Sequence, residues 1–501
     1  MDKVSKRIVI NVGICEDRVA VLENGKLEEF YVERSDSETL FGNVYKGVVE
    51  SVIPGIGAAF VNIGTGKNGF LYVDDIHQTP MTPDDRDDFV MDNDKPRGKG
   101  KRYSEITNLV KQQQELLVQV TKEPMGTKGP RITTHLSIPG RFLVLTPFDG
   151  GIGISKRISE IAERNRIRDI VREFHLPDGI GLIVRTAAKG MSDNDLRREI
   201  RYLTRLWSRI SHSGRRVKAP VVLYEEYGLI MRIIRDEFTE AVDEVVVDSK
   251  GAYKNIVRFL NIFLPSLKKK LKFHNERVPI FEKYGIEKEI EKIFHKKIHL
   301  KSGGSIVIEQ TEGMVAIDVN TEKFIGRRDA EDTVFRTNME AAREIARQIR
   351  LRDIGGILII DFIDMRVRDH RLRVQQALEQ ALRRDKARFK ILSISQFGVV
   401  EMTRQRMRRS LESTMYRECP YCHGRGLVKK ETTVALQIMR KIEADSHDNK
   451  ARHLDVWVHP EVYDYIMANE KELLLPLRRK CRKEIKLYKD ATLHAEDIRI
   501  I

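Results

Sequence analysis

Residues 304–320 read GSIVIEQTEGMVAIDVN and residues 356–365 read GILIIDFIDM, and these two stretches decide the fold class of the region around them. The first has apolar segments on both sides of a turn at residues 311–313, which predicts a β-hairpin. The second is a short, continuous apolar run, which indicates a buried strand. Residues 331–351 lie between them and predict a helix. Strands and a helix in this order are typical of an α/β unit.

Two of these strands end in an aspartate, which makes that end of the sheet a candidate site. Residues 314–317 lead into Asp318, and residues 357–360 lead into Asp361. Ligand sites in α/β sheets lie at the carboxyl ends of strands, and a pair of carboxylates there suits Mg²⁺. The simpler alternative, which spacing alone favours, is that each aspartate only caps a turn. Asp364 is expected to face away from Asp361 if the strand continues.

Length and composition bound the class of protein. A chain of 501 residues predicts two to five domains. The hydrophobic content of 41% is sufficient for real cores and excludes a wholly disordered chain. Four cysteines do not make a disulfide scaffold, and the start of the chain has no secretory signal, so we expect a cytoplasmic protein without a membrane span. The net charge of +15 is a weak indication of a polyanionic partner.

The amino-terminal part has the pattern of a β-protein. Residues 7–14 alternate in polarity and predict a strand, and a second strand is predicted to pair with it across the turn Asn24-Gly25. Short strands separated by glycines over residues 41–76 predict a small β-barrel. Residues 77–103 lose this periodicity and predict an exposed, flexible loop inserted into the barrel, because strand-like residues 115–123 follow.

The predicted barrel carries residues suited to nucleic acid. Oligonucleotide-binding barrels stack bases on aromatic side chains in a basic groove, and Phe60 and Phe70 could serve in this way. A place in the barrel core is the better interpretation of Phe60 from sequence alone. Lys122 and Lys128 could be phosphate contacts or ordinary surface lysines.

Cys419 and Cys422 form a CxxC pair followed by a glycine-rich segment. Such a pair is half of a zinc knuckle, because structural zinc takes four ligands. The missing pair is most simply supplied by a second copy of the chain across a two-fold axis. A thioredoxin-like redox pair and a pair without metal remain alternatives.

Six motifs occur in the order of a known family. They are GNVYKGVVESVIPGIGAAFVNIG with NGFL after it, LIVRTAAKG, VAIDVN, IIDFIDM, SQFGVVEMTRQR and CPYCHGRG. Over essentially the whole chain, they closely resemble the ribonuclease E/G family, and most closely its short members, which lack a long carboxyl-terminal scaffold.

The resemblance implies a mixed α/β fold of several subdomains. An RNase H-like subdomain is interrupted by an S1 barrel and a 5′-sensor, and a DNase I-like catalytic subdomain, a zinc link and a small domain follow. The implied boundaries are 1–38 and 219–285 for the RNase H-like parts, 39–134 for the barrel, 135–218 for the sensor, 286–415 for the catalytic subdomain, 416–427 for the zinc link and 428–501 for the small domain.

The resemblance also implies roles for matching residues. Asp318 and Asp361 match the Mg²⁺-binding carboxylates, and Asn320 matches the amide beside them. The remaining matches are Gly140, Val144, Arg185 and Thr186 for a 5′-monophosphate; Phe60, Phe70, Lys122 and Lys128 for RNA in the S1 groove; Arg388 for RNA at the catalytic subdomain; and Cys419 and Cys422 for a zinc ion shared between two subunits.

The implied activity is Mg²⁺-dependent cleavage of single-stranded RNA, such as ribosomal RNA precursors and messenger RNA, to 5′-phosphate and 3′-hydroxyl ends. The implied assembly is a homodimer or a tetramer built from dimers. Two alternatives remain from the residues themselves: a non-catalytic S1-type RNA-binding or ribosome-associated factor, and a DNA-directed nuclease.

Overall fold

The computed structural model describes residues 5–34, 39–76, 89–91, 106–124, 128–148, 150–177, 179–311, 313–321, 330–395, 397–406, 411–417, 419–422, 424–448 and 453–500. The predicted loop 77–103 lies outside these residues, except for 89–91. The chain divides into two compact units, Met1–Arg408 and Arg409–Ile501.

The strands, in chain order, are β1 (Lys6–Val12), β2 (Glu16–Glu23), β3 (Lys26–Arg34), β4 (Val44–Ile53), β5 (Ala58–Asn62), β6 (Gly69–Tyr72), β7 (Phe89–Met91), β8 (Glu115–Lys122), β9 (Arg131–Thr133), β10 (Ile138–Pro139), β11 (Leu143–Thr146), β12 (Gly151–Ser155), β13 (Gly181–Val184), β14 (Val221–Tyr224), β15 (Glu244–Val247), β16 (Leu271–Phe273), β17 (Lys297–His299), β18 (Ser305–Gln310), β19 (Met314–Asn320), β20 (Gly356–Asp361), β21 (Phe389–Ile391), β22 (Val399–Arg404), β23 (His453–Val458), β24 (Glu484–Lys489) and β25 (Ile498–Ile500).

The helices, in chain order, are α1 (Ile106–Leu109), α2 (Ile161–Arg172), α3 (Asp193–Arg216), α4 (Leu229–Glu237), α5 (Lys250–Phe263), α6 (Ile280–Lys283), α7 (Ile286–Ile293), α8 (Ala330–Leu351), α9 (Arg368–Leu382), α10 (Leu411–Met415), α11 (Glu431–Asp448), α12 (Pro460–Ala468) and α13 (Glu470–Cys481).

The first sheet of the larger unit has the strand order β16-β15-β1-β2-β3. The Asn24-Gly25 turn is present, and both residues have positive φ, but it joins β2 to β3. The predicted partner was therefore wrong, because β1 pairs with β2 instead, and Gly13 donates its N–H to the Glu16 carbonyl in the turn between them. An Asn-Gly turn identifies a hairpin without identifying which flanking segments form it.

The predicted β-barrel is confirmed. In the barrel, neighbouring strands are hydrogen-bonded to each other in the order β4, β5, β6, β9 and β8, and the pairing of β4 with β8 closes the barrel. Alternate residues such as Val49, Val61, Leu71 and Ile132 fill the interior, as the two-residue period of a strand requires. Strand β14 pairs antiparallel with Val44, Tyr45 and Lys46 at the start of β4.

A third sheet follows the barrel in the order β10-β11-β13-β12-β7. Its last strand, Phe89–Met91, pairs antiparallel with β12, so this part of the predicted loop is strand. Helix α3 begins at the N-cap Ser192, whose hydroxyl accepts the Asp195 N–H, and its apolar side joins the core that this sheet shares with the first.

The fourth sheet contains the hairpin predicted over residues 304–320 and the strand predicted over residues 356–365, and its order is β17-β18-β19-β20-β22-β21. Strands β19 and β20 are parallel neighbours joined by α8. The core between the sheet and its helices contains Ile345 of α8, Leu378 of α9, and Leu358 and Ile360 of β20. Together the four sheets confirm the predicted mixed α/β class.

The smaller unit has a three-stranded sheet in the order β24-β23-β25. Its core is built from α11, α12 and α13 against β23 and includes Ile438, Ile466, Leu474 and Val456. Among the described residues, no helix is long and apolar enough to cross a membrane.

Candidate functional site

The candidate catalytic site lies on the face of the fourth sheet opposite its buried core. Along β19, Val315, Ile317 and Val319 are buried, whereas the alternate residues Asp318 and Asn320 are exposed. The local alternation of the strand therefore directs the polar side chains away from the helices.

Asp318 and Asp361 lie directly opposite each other, as the last register pair of the parallel strands β19 and β20. The Asn320 side-chain amide donates a hydrogen bond to the Asp318 Oδ2 at 2.6 Å. Burial and the charges of Asp318 and Asp364 raise the pKa of Asp361 above its ordinary value. The raised pKa reflects negative charge concentrated at one end of the sheet.

Asp364 belongs to this acidic neighbourhood, because the condition under which it was expected to face away from Asp361 is not met. That expectation required the strand to continue, but β20 ends at Asp361. The chain then turns, and the charge of Asp364 acts on Asp361. Periodicity within a strand says nothing about side chains beyond its last residue.

The chemistry of these side chains fits Mg²⁺. Among the described residues, no group of three or more His, Cys, Asp or Glu side chains is close enough to hold a metal ion. Mg²⁺ nevertheless binds commonly through one or two carboxylates, with water and substrate phosphate oxygens as further ligands. Asp318 and Asp361 provide that pair, and a cation between them would relieve the repulsion that raises the pKa of Asp361.

Arg388 lies away from the two aspartates. It directly precedes β21 and lines a cavity of about 480 Å³ together with seven other residues: Gly356, Ile357, Phe389, Lys390, Thr403, Arg404 and Gln405. Gly356 and Asp361 are the two ends of β20, so the cavity lies roughly 16 Å from the aspartates, at about 3.3 Å per residue. That distance corresponds to a few nucleotides of an extended strand.

The predicted 5′-phosphate residues come from three neighbouring segments. Arg185 follows β13, and its Nη1 donates to the Gly140 carbonyl at 2.9 Å and to the Asp236 Oδ1 at 2.7 Å. The Thr186 hydroxyl lies 2.9 Å from the Ser155 hydroxyl. Val144 lies on β11, where it is in register with Pro139 and Ile183. Arg185 and Gly140 are therefore in direct contact.

Sequence reasoning missed Glu199, a buried residue that fixes the backbone next to Gly140. Glu199 is fully buried on α3 and accepts hydrogen bonds from the backbone N–H groups of Arg141 and Phe142. Burial raises its pKa to about 7 despite these bonds. A Cβ at Gly140 would lie 2.1 Å from the Glu199 Oε1. The available signal was an acidic residue among the apolar positions Leu196, Ile200 and Leu203 of the helix.

Sequence reasoning also missed Asp236, the ion-pair partner of Arg185. Burial opposes its ionisation, but hydrogen bonds and charge from Arg235 and Arg185 lower the pKa of Asp236 below its ordinary value. The carboxylate thus stays charged and holds Arg185 in place.

The two barrel aromatics lie together on the outside of the barrel. Phe60 is the register partner of Phe70, and their rings meet edge to face with centroids 5.8 Å apart. The neighbours Ala59 and Val61 point into the core instead. The interpretation of Phe60 as a core residue was therefore wrong, because the strand alternation turns its ring outward. Lys122 and Lys128 are both exposed.

The CxxC pair lies in the smaller unit. The Cys422 Sγ accepts the Gly426 N–H at 3.3 Å, and hydrogen bonds from the backbone N–H groups of Cys422 and Tyr421 lower the pKa of Cys419. Such bonds favour thiolates, the form that binds zinc. The two sulfur atoms fit half of a tetrahedral zinc site.

Comparison with known proteins adds independent findings. A profile described as "Ribonuclease E/G family" matches residues 137–407, and one described as "RNase E/G, Thioredoxin-like domain" matches residues 418–501. Over 496 residues the chain is 39% identical to Ribonuclease G of Salmonella typhimurium (strain SL1344), and 99% of each chain is covered. Identity to Ribonuclease G of Escherichia coli (strain K12) is 38% over the same length and coverage. Identity to Ribonuclease E of Haemophilus influenzae is 34% over 482 residues, which cover 96% of this chain and 50% of that protein.

Proposed function

The chain belongs to the Ribonuclease E/G family, and from that premise we propose that it is a Mg²⁺-dependent endoribonuclease that cleaves single-stranded RNA to 5′-phosphate and 3′-hydroxyl ends. The observation that carries the proposal is the register pair Asp318 and Asp361 on an open sheet face. Two carboxylates facing each other beside a polyanion are unfavourable for mere binding, but they would hold a cation that neutralises charge on a phosphate.

Each residue of the site has a role in this proposal. Asp318 and Asp361 would hold the Mg²⁺, and Asn320 anchors one oxygen of Asp318 through its 2.6 Å hydrogen bond. A bound Mg²⁺ supplies a water of lowered pKa and neutralises charge that develops on the phosphodiester. Phe60 and Phe70 present ring surface outside the barrel, where unstacked bases of a single strand can pack.

We also propose that the 5′-sensor residues bind a terminal monophosphate. Both contacts described for the Arg185 guanidinium use Nη1, which leaves the Nε and Nη2 edge for phosphate oxygens. Guanidinium binds such oxygens in a fork, and a hydroxyl such as that of Thr186 can donate a further hydrogen bond.

The CxxC pair extends the proposal to assembly. Cys419 and Cys422 supply two zinc ligands, so a homodimer that contributes two pairs completes the tetrahedral set. The zinc is structural in this proposal, and it takes no part in the cleavage.

Cleavage of short 5′-labelled RNA tests the proposed function. The wild-type protein is expected to cut a single-stranded oligonucleotide in Mg²⁺ and to leave 5′-phosphate and 3′-hydroxyl ends. It is expected to be inactive in EDTA and to spare the same sequence in a duplex. Cleavage that continues unchanged in EDTA would overturn the metal dependence, and RNA bound without cleavage would favour the non-catalytic alternative.

A further inference from the structure

Phe397 is an aromatic side chain that is largely exposed to solvent. It is 82% exposed, which makes it the most exposed aromatic residue in the described part of the chain. A single exposed apolar residue is ordinary on a protein surface. The position of this one is not ordinary, because the loop that carries it packs on the segment that follows Asp361.

The loop is fixed by hydrogen bonds. The Ser395 N–H donates to the Val399 carbonyl at 2.9 Å, and the Val399 N–H donates to the Ser395 Oγ at 3.2 Å. The Ile394 N–H donates to the Gln375 Oε1 of α9 at 3.3 Å. Phe397 is therefore presented by a turn that is tied at both ends.

Contacts of the next residue place the turn beside the acidic site. Gly398 has φ of +76°, and a Cβ there would lie 3.0 Å from the Phe362 carbonyl and 3.4 Å from the Asp364 Oδ1. Val399 is the register partner of Asp361. Phe397 thus precedes a glycine at which a Cβ would meet Phe362 and Asp364, and it lies two residues from the register partner of Asp361.

The charges nearby favour a nucleic acid as the occupant. Arg366 and Arg368 are exposed in the segment that follows Asp364. An exposed ring beside arginines and a phosphate-directed site is the combination with which proteins bind single strands, stacking bases on the ring and pairing phosphates with the cations.

We infer that Phe397 is a stacking residue, whose ring packs against an unpaired nucleobase next to the scissile phosphate and so positions the strand over Asp318 and Asp361. The inference rests on the proposed endoribonuclease function and adds a ligand contact to that same site. Stacking uses the flat face that every base has, so the contact selects an unpaired base rather than a particular one.

A double-mutant cycle between the ring and the base tests the inference. RNA affinity is measured in an Asp318→Asn background, so that the substrate stays intact, with and without Phe397→Ala. The probes are one oligonucleotide with a single known cleavage site and a set in which one base at a time is abasic. Ile14→Ala, at a side chain 99% exposed on the turn between β1 and β2, is the matched control.

We expect Phe397→Ala to weaken binding about 10- to 100-fold, and Phe397→Trp and Ile14→Ala to stay within a few-fold of the parent. Removal of the one base that stacks on the ring should lower the RNA affinity of the Asp318→Asn parent by a similar factor. The same removal should leave the affinity of the protein that also carries Phe397→Ala almost unchanged. Equal abasic penalties in both proteins at every position would overturn the inference. A changed oligomeric mass for Phe397→Ala, with full RNA affinity per chain, would also overturn the inference. The ring would then belong to an interface between two copies of the chain.

The two proposals fail separately. If the wild-type protein cleaves and Asp318→Asn does not, but no position couples to Phe397, only the stacking inference fails. If the wild-type protein binds with coupling at one position but does not cleave, the endoribonuclease proposal fails, and the ring remains a base-binding residue.

Discussion

The acidic site lowers the stability of the fold at Asp361. Its pKa is raised by burial and by the carboxylates of Asp318 and Asp364, so the folded protein binds that proton more tightly than the unfolded chain does. The contribution of this group to stability is therefore complete at pH below its unfolded pKa and is lost as pH rises through its raised folded pKa. Functional sites often retain such unfavourable pairs.

Asp361→Asn is accordingly expected to stabilise the metal-free protein. Its melting temperature in EDTA at pH 7 should exceed that of the wild type, and the difference should shrink as the pH is lowered to 4 and the wild-type carboxyl takes up its proton. Thermal unfolding at the two pH values measures this effect. Asp464→Asn, at an exposed carboxylate of the smaller unit, serves as the control, and a less stable Asp361→Asn at pH 7 would contradict the repulsion.

At the residue scale, Asp318 and Asp361 could be named as candidates from sequence, but spacing alone favoured a turn-capping role for each, and only the family resemblance implied that they act together. Several of their neighbours could not be predicted at all. Strands β19 and β20 are adjacent and parallel, and Asp318 and Asp361 are their last register pair, although β19 itself continues to Asn320. Asp364 escaped prediction because its position depends on where β20 stops. Asp236 escaped because its partner Arg185 is 51 residues away along the chain.

At the scale of single elements, buried hydrogen bonds join α3 to the turn between β10 and β11. Glu199 of α3 accepts the N–H groups of Arg141 and Phe142, and Gly140 leaves the space that its carboxylate occupies. The same turn supplies the carbonyl that binds Arg185. The proposed phosphate sensor is thus held from within the core.

Gly140→Ala should disrupt these hydrogen bonds without touching the aspartates. Displacement of Glu199 is expected to lower the free energy of unfolding by about 1–3 kcal/mol, as overpacking does. Cleavage of 5′-monophosphorylated RNA should slow more than cleavage of 5′-hydroxyl RNA, as for Arg185→Ala. Both rates and urea unfolding are the measurements.

Gly251→Ala is the matched control, because a Cβ there would meet nothing closer than the Ser249 Oγ at 3.7 Å. Equal slowing of both RNAs in Gly140→Ala and in Arg185→Ala would leave these residues as general scaffold, without a role in reading the 5′ end.

Elements with a clear period were predictable, and elements defined by remote pairing were not. The helix predicted over 331–351 is observed as Ala330–Leu351, and the hairpin predicted over 304–320 is observed as the antiparallel pair β18 and β19. In contrast, Phe89–Met91 is a strand only because it adds to β12. The Asn24-Gly25 turn was recognised but assigned to the wrong pair of strands, since register depends on the whole sheet.

At the scale of the whole molecule, the net charge of +15 and the acidic site have complementary roles in the proposed function. Positive charge attracts an RNA backbone at long range, whereas the two aspartates at one end of the sheet would bind a cation. Composition revealed the first property and concealed the second.

The CxxC pair makes a prediction about assembly. We expect about one zinc per two chains and a dimeric mass, and Cys419→Ser should lose both while each chain stays folded. Metal analysis with light scattering measures the two together, and Cys15→Ser, at an exposed cysteine of the larger unit, is the control. One zinc per chain, or a dimer unaffected by Cys419→Ser, would refute a shared ion.

The most direct test of the catalytic assignment separates binding from cleavage at Asp318. RNA affinity and the single-turnover cleavage rate are measured for the wild type, Asp318→Asn and the control Asp464→Asn in the same Mg²⁺ buffer. We predict that Asp318→Asn lowers the cleavage rate by more than about 100-fold, beyond the usual effect of losing a metal ligand's supporting partner. RNA affinity should change little, and Asp464→Asn should match the wild type in both. Cleavage by Asp318→Asn at the wild-type rate would contradict a catalytic role for Asp318.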